Sequence, residues 1–172
     1  MLAHVRSPFG FPDPVNEVAA RVVAGGVALW CALTLALGQP WLLVPLAYGF
    51  WARVLTGPTL SPLGRLATRV VAPRLGPARP VPGPPKRFAQ GMGVAFSTTA
   101  LVLWLVAGEA VAAWVVLALL EVAAVAECAF GYCLGCRVFA LLMRAGIIPA
   151  RVCEDCADLS VRHGELRQAV RA

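Results

Sequence analysis

The chain has 172 residues, enough for one domain, and 59% of them are apolar against only 14% charged, where soluble proteins carry roughly 25% charged residues. With a mean hydropathy of +0.75, a soluble fold of this size could not hide its apolar surface, so lipid must act as part of the solvent. The net charge of +6 comes without basic runs interleaved with stacking aromatics, which argues against nucleic acid as a partner and leaves charge as a topology signal.

Residues 1–17 are long for the charged leader of a cleavable signal and carry both signs of charge (Arg6, Asp13 and Glu17). The apolar run after them is therefore expected to stay as a first helix. Four apolar segments follow, at about 18–37, 41–55, 88–107 and 111–134. The second is short for a roughly 20-residue span. Gly38-Gln39-Pro40 joins the first two and Gly108-Glu109 joins the last two. Two tight hairpins predict an all-α fold: one integral membrane domain over 1–172, packed as a polytopic four-helix bundle.

Basic residues set the expected orientation. The loop at 56–87 holds Arg65, Arg69, Arg74, Arg79, Lys86 and Arg87, with Arg53 at its edge. The tail at 133–172 holds six more arginines, from Arg137 to Arg171, and the two hairpin loops hold no Lys or Arg. Both termini and the middle loop are thus expected in the cytoplasm, under the inner (plasma) membrane. Within that loop, Ser61 and Pro62 read as the cap and first position of a short interfacial helix, with Leu63, Leu66 and Val70 opposite Arg65. The six prolines from Pro73 to Pro85 predict a stiff extended linker.

Four of the six cysteines form the pattern C-x2-C-x16-C-x2-C, at Cys133, Cys136, Cys153 and Cys156. The spacing fits a four-thiolate zinc site. It fits equally two dithiols engaged in redox or sulfur transfer. A small transporter of a metal or sulfur species, with these cysteines as acceptor, is a third reading. A permanent structural disulfide is not expected in the cytoplasm. Arg137 follows the first pair, and a cation favours the thiolate; Glu154 and Asp155 lie inside the second pair and disfavour it. Cys133 or Cys136 is therefore the expected nucleophile, with Cys153 and Cys156 resolving. Cys31 and Cys128 read as small buried apolar residues.

Glu121 and Glu127 lie within the fourth apolar segment, where carboxylates are costly unless paired, protonated or functional. Arg21 and Arg53 sit at a depth similar to that of Glu127, which predicts a Glu127–Arg53 or Glu127–Arg21 ion pair. Glu127 could also serve the thiols as a proton donor or acceptor. Glu121 lies deeper, with Ser97, Thr98 and Thr99 as candidate partners. His4 and His163 are the two histidines and both lie outside the spans, which excludes bis-histidine haem ligation. A membrane oxidoreductase would also need an electron acceptor such as a quinone, for which the sequence has no fingerprint.

Five stretches, Phe11-Pro-Asp-Pro-Val-Asn-Glu17, Leu46-Ala-Tyr-Gly-Phe-Trp-Ala-Arg53, Pro82-Gly-Pro-Pro-Lys-Arg-Phe-Ala-Gln-Gly91, Glu127-Cys-Ala-Phe-Gly-Tyr-Cys-Leu-Gly-Cys136 and Ile147-Ile-Pro with Cys153-Glu-Asp-Cys156, are together distinctive. They resemble the domain-of-unknown-function 4395 family of bacterial, often actinobacterial, integral membrane proteins. Asp13 stands where many members have Asn. The resemblance implies about four spans and paired cysteines. It also implies a link to thioredoxin-like or sulfurtransferase partners, an association that points to thiol or sulfur chemistry.

Overall fold

The computed structural model describes residues 11–153. The second cysteine pair is therefore seen only in part: Cys153 is included, whereas Cys156 lies outside the described residues, as do Arg162, Arg167 and Arg171 of the tail.

The chain enters through an extended segment, Phe11 to Asn16, with a cis Asp13–Pro14 peptide. Its last two residues form β1 (Val15–Asn16). Helix α1 (Glu17–Leu37) starts because Asn16 is extended and its side-chain oxygen accepts from the Val18 N–H at 3.0 Å, satisfying one of the free donors of the first turn. It stops at Gly38, which sits in the left-handed region at φ 61°. A 3-10 turn (Pro40–Leu42) leads into α2 (Leu43–Thr56). At 14 residues, α2 is about 21 Å long, short of the roughly 30 Å of a bilayer core.

The next stretch is helical almost throughout. Ser61 caps α3 (Pro62–Leu66) through the Gly64 N–H at 3.2 Å, with Pro62 in the first turn. A π-helical turn (Ala67–Val71) continues into α4 (Ala72–Leu75). Pro73 lacks the N–H an α-helix would need there, which gives the wider turn a physical reason. This segment does not stand apart: it packs on α1, and a Cβ at Gly26 would fall 2.5 Å from Leu63 Cδ1. Arg65, Arg69 and Arg74 remain exposed. The proline-rich linker is shorter than expected, because β2 (Pro80–Val81) pairs antiparallel with β1 and α5 (Gly83–Leu105) already begins at Gly83. Pro84 and Pro85 occupy its first turn, where a missing N–H breaks no helical bond.

After the Gly108 turn, α6 (Ala110–Phe130) ends four residues earlier than its apolar pattern suggests. Gly131 adopts φ 67° and the Tyr132 N–H turns back to the Ala126 carbonyl at 3.1 Å, a left-handed stop that favours glycine. The chain then starts a separate amphipathic helix, α7 (Leu134–Arg144). A 3-10 turn (Ala150–Val152) precedes Cys153.

Three of the described helices, α1, α5 and α6, are long and apolar enough to cross a membrane. The sequence-adjacent α1 and α2 barely touch: α1 packs on α6, α6 on α5, and α5 on α2. Small residues allow this; Gly93 gives its space to the Phe50 ring, and Gly25 to the Cys128 sulfur. Val27, Cys31, Leu43, Phe50, Ala100 and Leu117 form the shared core. Outside it, Val111, Val115, Leu119, Val122 and Val125 run exposed down one side of α6, an apolar stripe that is at home against lipid and not against water.

Candidate functional site

The thiol pair sits where α6 has ended and α7 begins. Cys133 is extended, at φ −83° and ψ 103°, and is the N-cap of α7; its carbonyl accepts from the Arg137 N–H at 3.2 Å. Cys136 follows one turn later, so the C-x2-C spacing becomes the N-cap and third helical position. The Cys136 thiol and backbone N–H both favour a charged Cys133 sulfur, although no side-chain capping hydrogen bond closes at Cys133. Cys133 is buried and Cys136 half-buried, and both are free thiols.

These donors divide the pair. The hydrogen bond from the Cys136 thiol, helped by the nearby Lys86 ammonium, holds the Cys133 thiol below its ordinary value, against burial and the Glu127 carboxylate, which act the other way. Cys136, which donates the proton and is also buried, is pushed well up. One sulfur is thus biased toward the thiolate at a helix N-terminus and the other toward the thiol. The sequence expects a contrast between the two pairs, with Arg137 favouring the thiolate of the first. In the structure Arg137 instead lies over the Tyr132 ring, 5.0 Å from its centroid.

Glu127 does not meet Arg21 or Arg53. It forms an ion pair with Lys86, Nζ to Oε1 2.7 Å, and the two side chains are only 12% and 17% exposed. Lys86 can reach it because α5 begins before Lys86 and presents it on the α5–α6 seam. Arg21 serves another need: its Nε and Nη2 donate to the Cys128 carbonyl at 3.2 and 2.9 Å, and Nη2 to that of Ala129 at 3.1 Å. A cation at the C-terminus of α6 satisfies carbonyls that the helix leaves open. Arg53 is buried and pairs with neutral groups, Gln90 Oε1 at 2.8 Å and Ser61 Oγ at 3.3 Å, its guanidinium 4.5 Å from the Phe50 ring centroid. Its Nη2 has no hydrogen-bond partner among the described residues.

Glu121 is not matched with the hydroxyls of α5. Ser97 donates to the Gly93 carbonyl at 2.7 Å, Thr98 accepts from Trp51 Nε1 at 3.2 Å, and Glu121 Oε2 is buried with no hydrogen-bond partner among the described residues. Cys31 is fully buried and Cys128 packs against Gly25, as expected of small apolar residues. Cys153 is buried and disulfide-bonded.

Two contacts hold the thiol site to the rest of the fold. Gly135, between the cysteines, presses on α5: a Cβ there would fall 2.5 Å from the Cα and Cβ of Ala89. One turn on, the Phe139 ring meets Phe88, centroids 5.7 Å apart. The N-terminal segment closes the same corner, since Asp13 Oδ1 accepts from the Gly83 N–H at 2.9 Å. A cleft of about 460 Å³ lies among this segment, the start of α5, Phe139 of α7, and Val152. Lys86, Gln90 and Phe139 are the members of this region that sequence reasoning overlooks. Lys86 was legible only as one of the orienting cations of the loop at 56–87, whereas Gln90 and Phe139 carry no sequence signal of their own.

Fold and site together define a helical protein with a membrane-type apolar exterior and a free thiol pair at the end of one apolar helix. The family described as "Domain of unknown function (DUF4395)" matches residues 15–144, most of the chain, and the protein belongs to that family. No curated protein and no solved structure matches it.

Proposed function

We propose that this is an inner-membrane protein, with both termini and the thiol site in the cytoplasm, that carries out thiol–disulfide or sulfur-transfer chemistry at Cys133 and Cys136. The observation that carries the reading is the arrangement of that pair: a buried sulfur at the N-cap position of a helix, with the Cys136 thiol one turn on and a lysine nearby. Cys133 attacks a partner disulfide and expels one partner thiol; Cys136 then attacks the Cys133 sulfur, expels the second and closes a Cys133–Cys136 disulfide, and in reverse a partner dithiol reduces that disulfide; with a persulfide the groups expelled are the partner thiol and then hydrosulfide. Cys153 and Cys156 accept or pass on the oxidation. Glu127 acts through Lys86, holding the ammonium in place, and is a positioning residue. In the bilayer α1, α5 and α6 span, and the shorter α2 completes a four-helix bundle; the arginine-bearing segment at 62–75 meets the headgroups. A thioredoxin-like protein or a sulfurtransferase is the natural partner, since both present a reactive sulfur on a surface loop.

The zinc alternative would hold the metal on Cys133, Cys136, Cys153 and Cys156. It supplies a structural cross-link and not a reaction, and it requires Cys153 as a thiolate and not in a disulfide. Transport of a metal or sulfur species is supported less, because the core between α1 and α6 is filled by side chains. Metal analysis and thiol titration of purified protein decide among these. Zinc-free protein in which Cys133 is alkylated much faster than Cys31 and Cys128 is the expected result. Stoichiometric zinc with four protected thiols would overturn the proposal.

A further inference from the structure

We propose that the cleft beside the dithiol binds the ring of a lipid-soluble quinone, and that this quinone is the two-electron acceptor for Cys133 and Cys136. The inference rests on the thiol reading run in its oxidising direction and names its oxidant: a partner dithiol reduces the Cys133–Cys136 disulfide, and the quinone re-forms it. At about 460 Å³ the cleft is within the roughly 300–1,000 Å³ range of small-molecule sites. Its walls are mostly flat and apolar, with Phe11, Pro12, Pro84, Phe88, Phe139 and Val152 among the lining residues. The tilted Phe88 and Phe139 rings offer both a face and an edge to a planar ring.

The polar groups of the cleft suit the rest of such a molecule. Arg87 lines it, is exposed, and makes no hydrogen bond or ion pair among the described residues. Its N–H groups suit a quinone carbonyl. Asp13 has one oxygen held by the Gly83 N–H, and the other can accept from a quinol hydroxyl. A small hydrophilic oxidant would gain little from these walls. An isoprenoid quinone would gain from them, and its tail could follow α5, an apolar helix long enough to cross a membrane.

The dithiol is held on the same scaffold. Phe139 lies three residues after Cys136 on α7, which makes them neighbours on one helix face. Gly135 bears directly on Ala89, the residue after Phe88. The cleft wall and the thiol pair thus share the α5–α7 contact. The reaction balances without another reagent. The two sulfurs give up their two protons and two electrons, an S–S bond forms between Cys133 and Cys136, and the quinone oxygens take up both electrons and both protons to give the quinol.

The test uses reduced full-length protein in lipid nanodiscs, without oxygen, and a fully substituted short-chain benzoquinone, which cannot be trapped as a ring thioether. Loss of quinone absorbance and loss of thiols are followed together. One quinone should be consumed per two thiols, saturably. Phe139→Ala and Arg87→Gln should each raise the half-saturating concentration about 10-fold. Val152→Trp, at a half-exposed position whose enlargement fills the cleft without opening the core, should abolish saturation. Oxidation at the same rate in Val152→Trp as in the unaltered protein would overturn the cleft as the site. Rapid alkylation of Cys133 with no quinone consumed would overturn the acceptor and leave the thiol reading standing. A Cys133 no more reactive than Cys31 would bring down the thiol reading itself.

Discussion

Removing either partner of the Lys86–Glu127 pair should harm the fold in the same direction but move the Cys133 thiol in opposite directions. The pair is 2.7 Å apart and its side chains are 12% and 17% exposed. At an effective dielectric of about 20 the attraction is about 6 kcal/mol before desolvation is counted. Truncating one member of a buried pair typically costs about 3–5 kcal/mol, and the residual exposure here puts the expectation near the lower end. Lys86→Met or Glu127→Gln alone should therefore lower the melting midpoint by about 6–12 °C, at roughly 2–4 °C per kcal/mol for a chain of this size. The double variant Lys86→Met/Glu127→Gln leaves no stranded charge, so its loss should fall at least about 2 kcal/mol short of the sum of the single losses. The thiol supplies the second readout. The ammonium lowers the Cys133 titration and the carboxylate raises it, so Lys86→Met should shift the alkylation midpoint of Cys133 up and Glu127→Gln should shift it down. Thermal melts in detergent and the pH dependence of alkylation measure both. Additive single losses, within about 0.5 kcal/mol, would refute the pair, and shifts of the same sign would refute the assigned geometry.

Cys133 should alkylate with a midpoint below the ordinary thiol value of 9.0 in folded protein and near it after denaturation. A group whose folded value is depressed stabilises the fold above its unfolded value, and that contribution fades as pH falls through the folded one; Cys136→Ala, which removes the thiol donor, should move the folded midpoint back up. Gly135→Ala places a methyl group 2.5 Å from Ala89, and because the obstacle is backbone, α7 must lift from α5. A loss of about 1–3 kcal/mol should follow, together with slower alkylation of Cys133; unchanged melting would show that α7 does not rest there. Cysteines placed at Gln39 and Glu109 in a background lacking the native thiols should react with a membrane-impermeant reagent from the outer side only. Labelling from the cytoplasm would overturn the proposed orientation.

Much of the architecture was legible before any coordinates. Apolar runs of span length, punctuated at Gly38 and Gly108, determine helices and their turns, because backbone groups in an apolar medium must bond within their own segment. Ser61 followed by Pro62 determines a helix start, because a capping side chain acts through local hydrogen bonds. Gly131 was equally available as a stop, but the apolar run to Leu134 masked it. Hydropathy reports burial and cannot see a left-handed turn, so the end of α6 and the separate start of α7 came only with the structure.

Partner choice was the other thing beyond the sequence. Arg21, Arg53 and Glu127 have compatible charge and depth, and an ion pair among them is a sound expectation from depth alone. Which side chains meet depends on which helices are neighbours, and α1 packs on α6 while α2 packs on α5, an order that neither chain sequence nor hydropathy dictates. That order gives Arg21 the carbonyls ending α6, gives Arg53 the amide of Gln90, and leaves Lys86 for Glu127. By itself the sequence determined that this protein has a lipid-compatible helical body and a paired-thiol motif at the end of an apolar segment. Only the tertiary structure decided that Cys133 holds the N-cap position of a helix, that the Cys136 thiol lies one turn on, and that Lys86 stands near them, because those relations span α5, α6 and α7 and depend on the close contact that Gly135 allows.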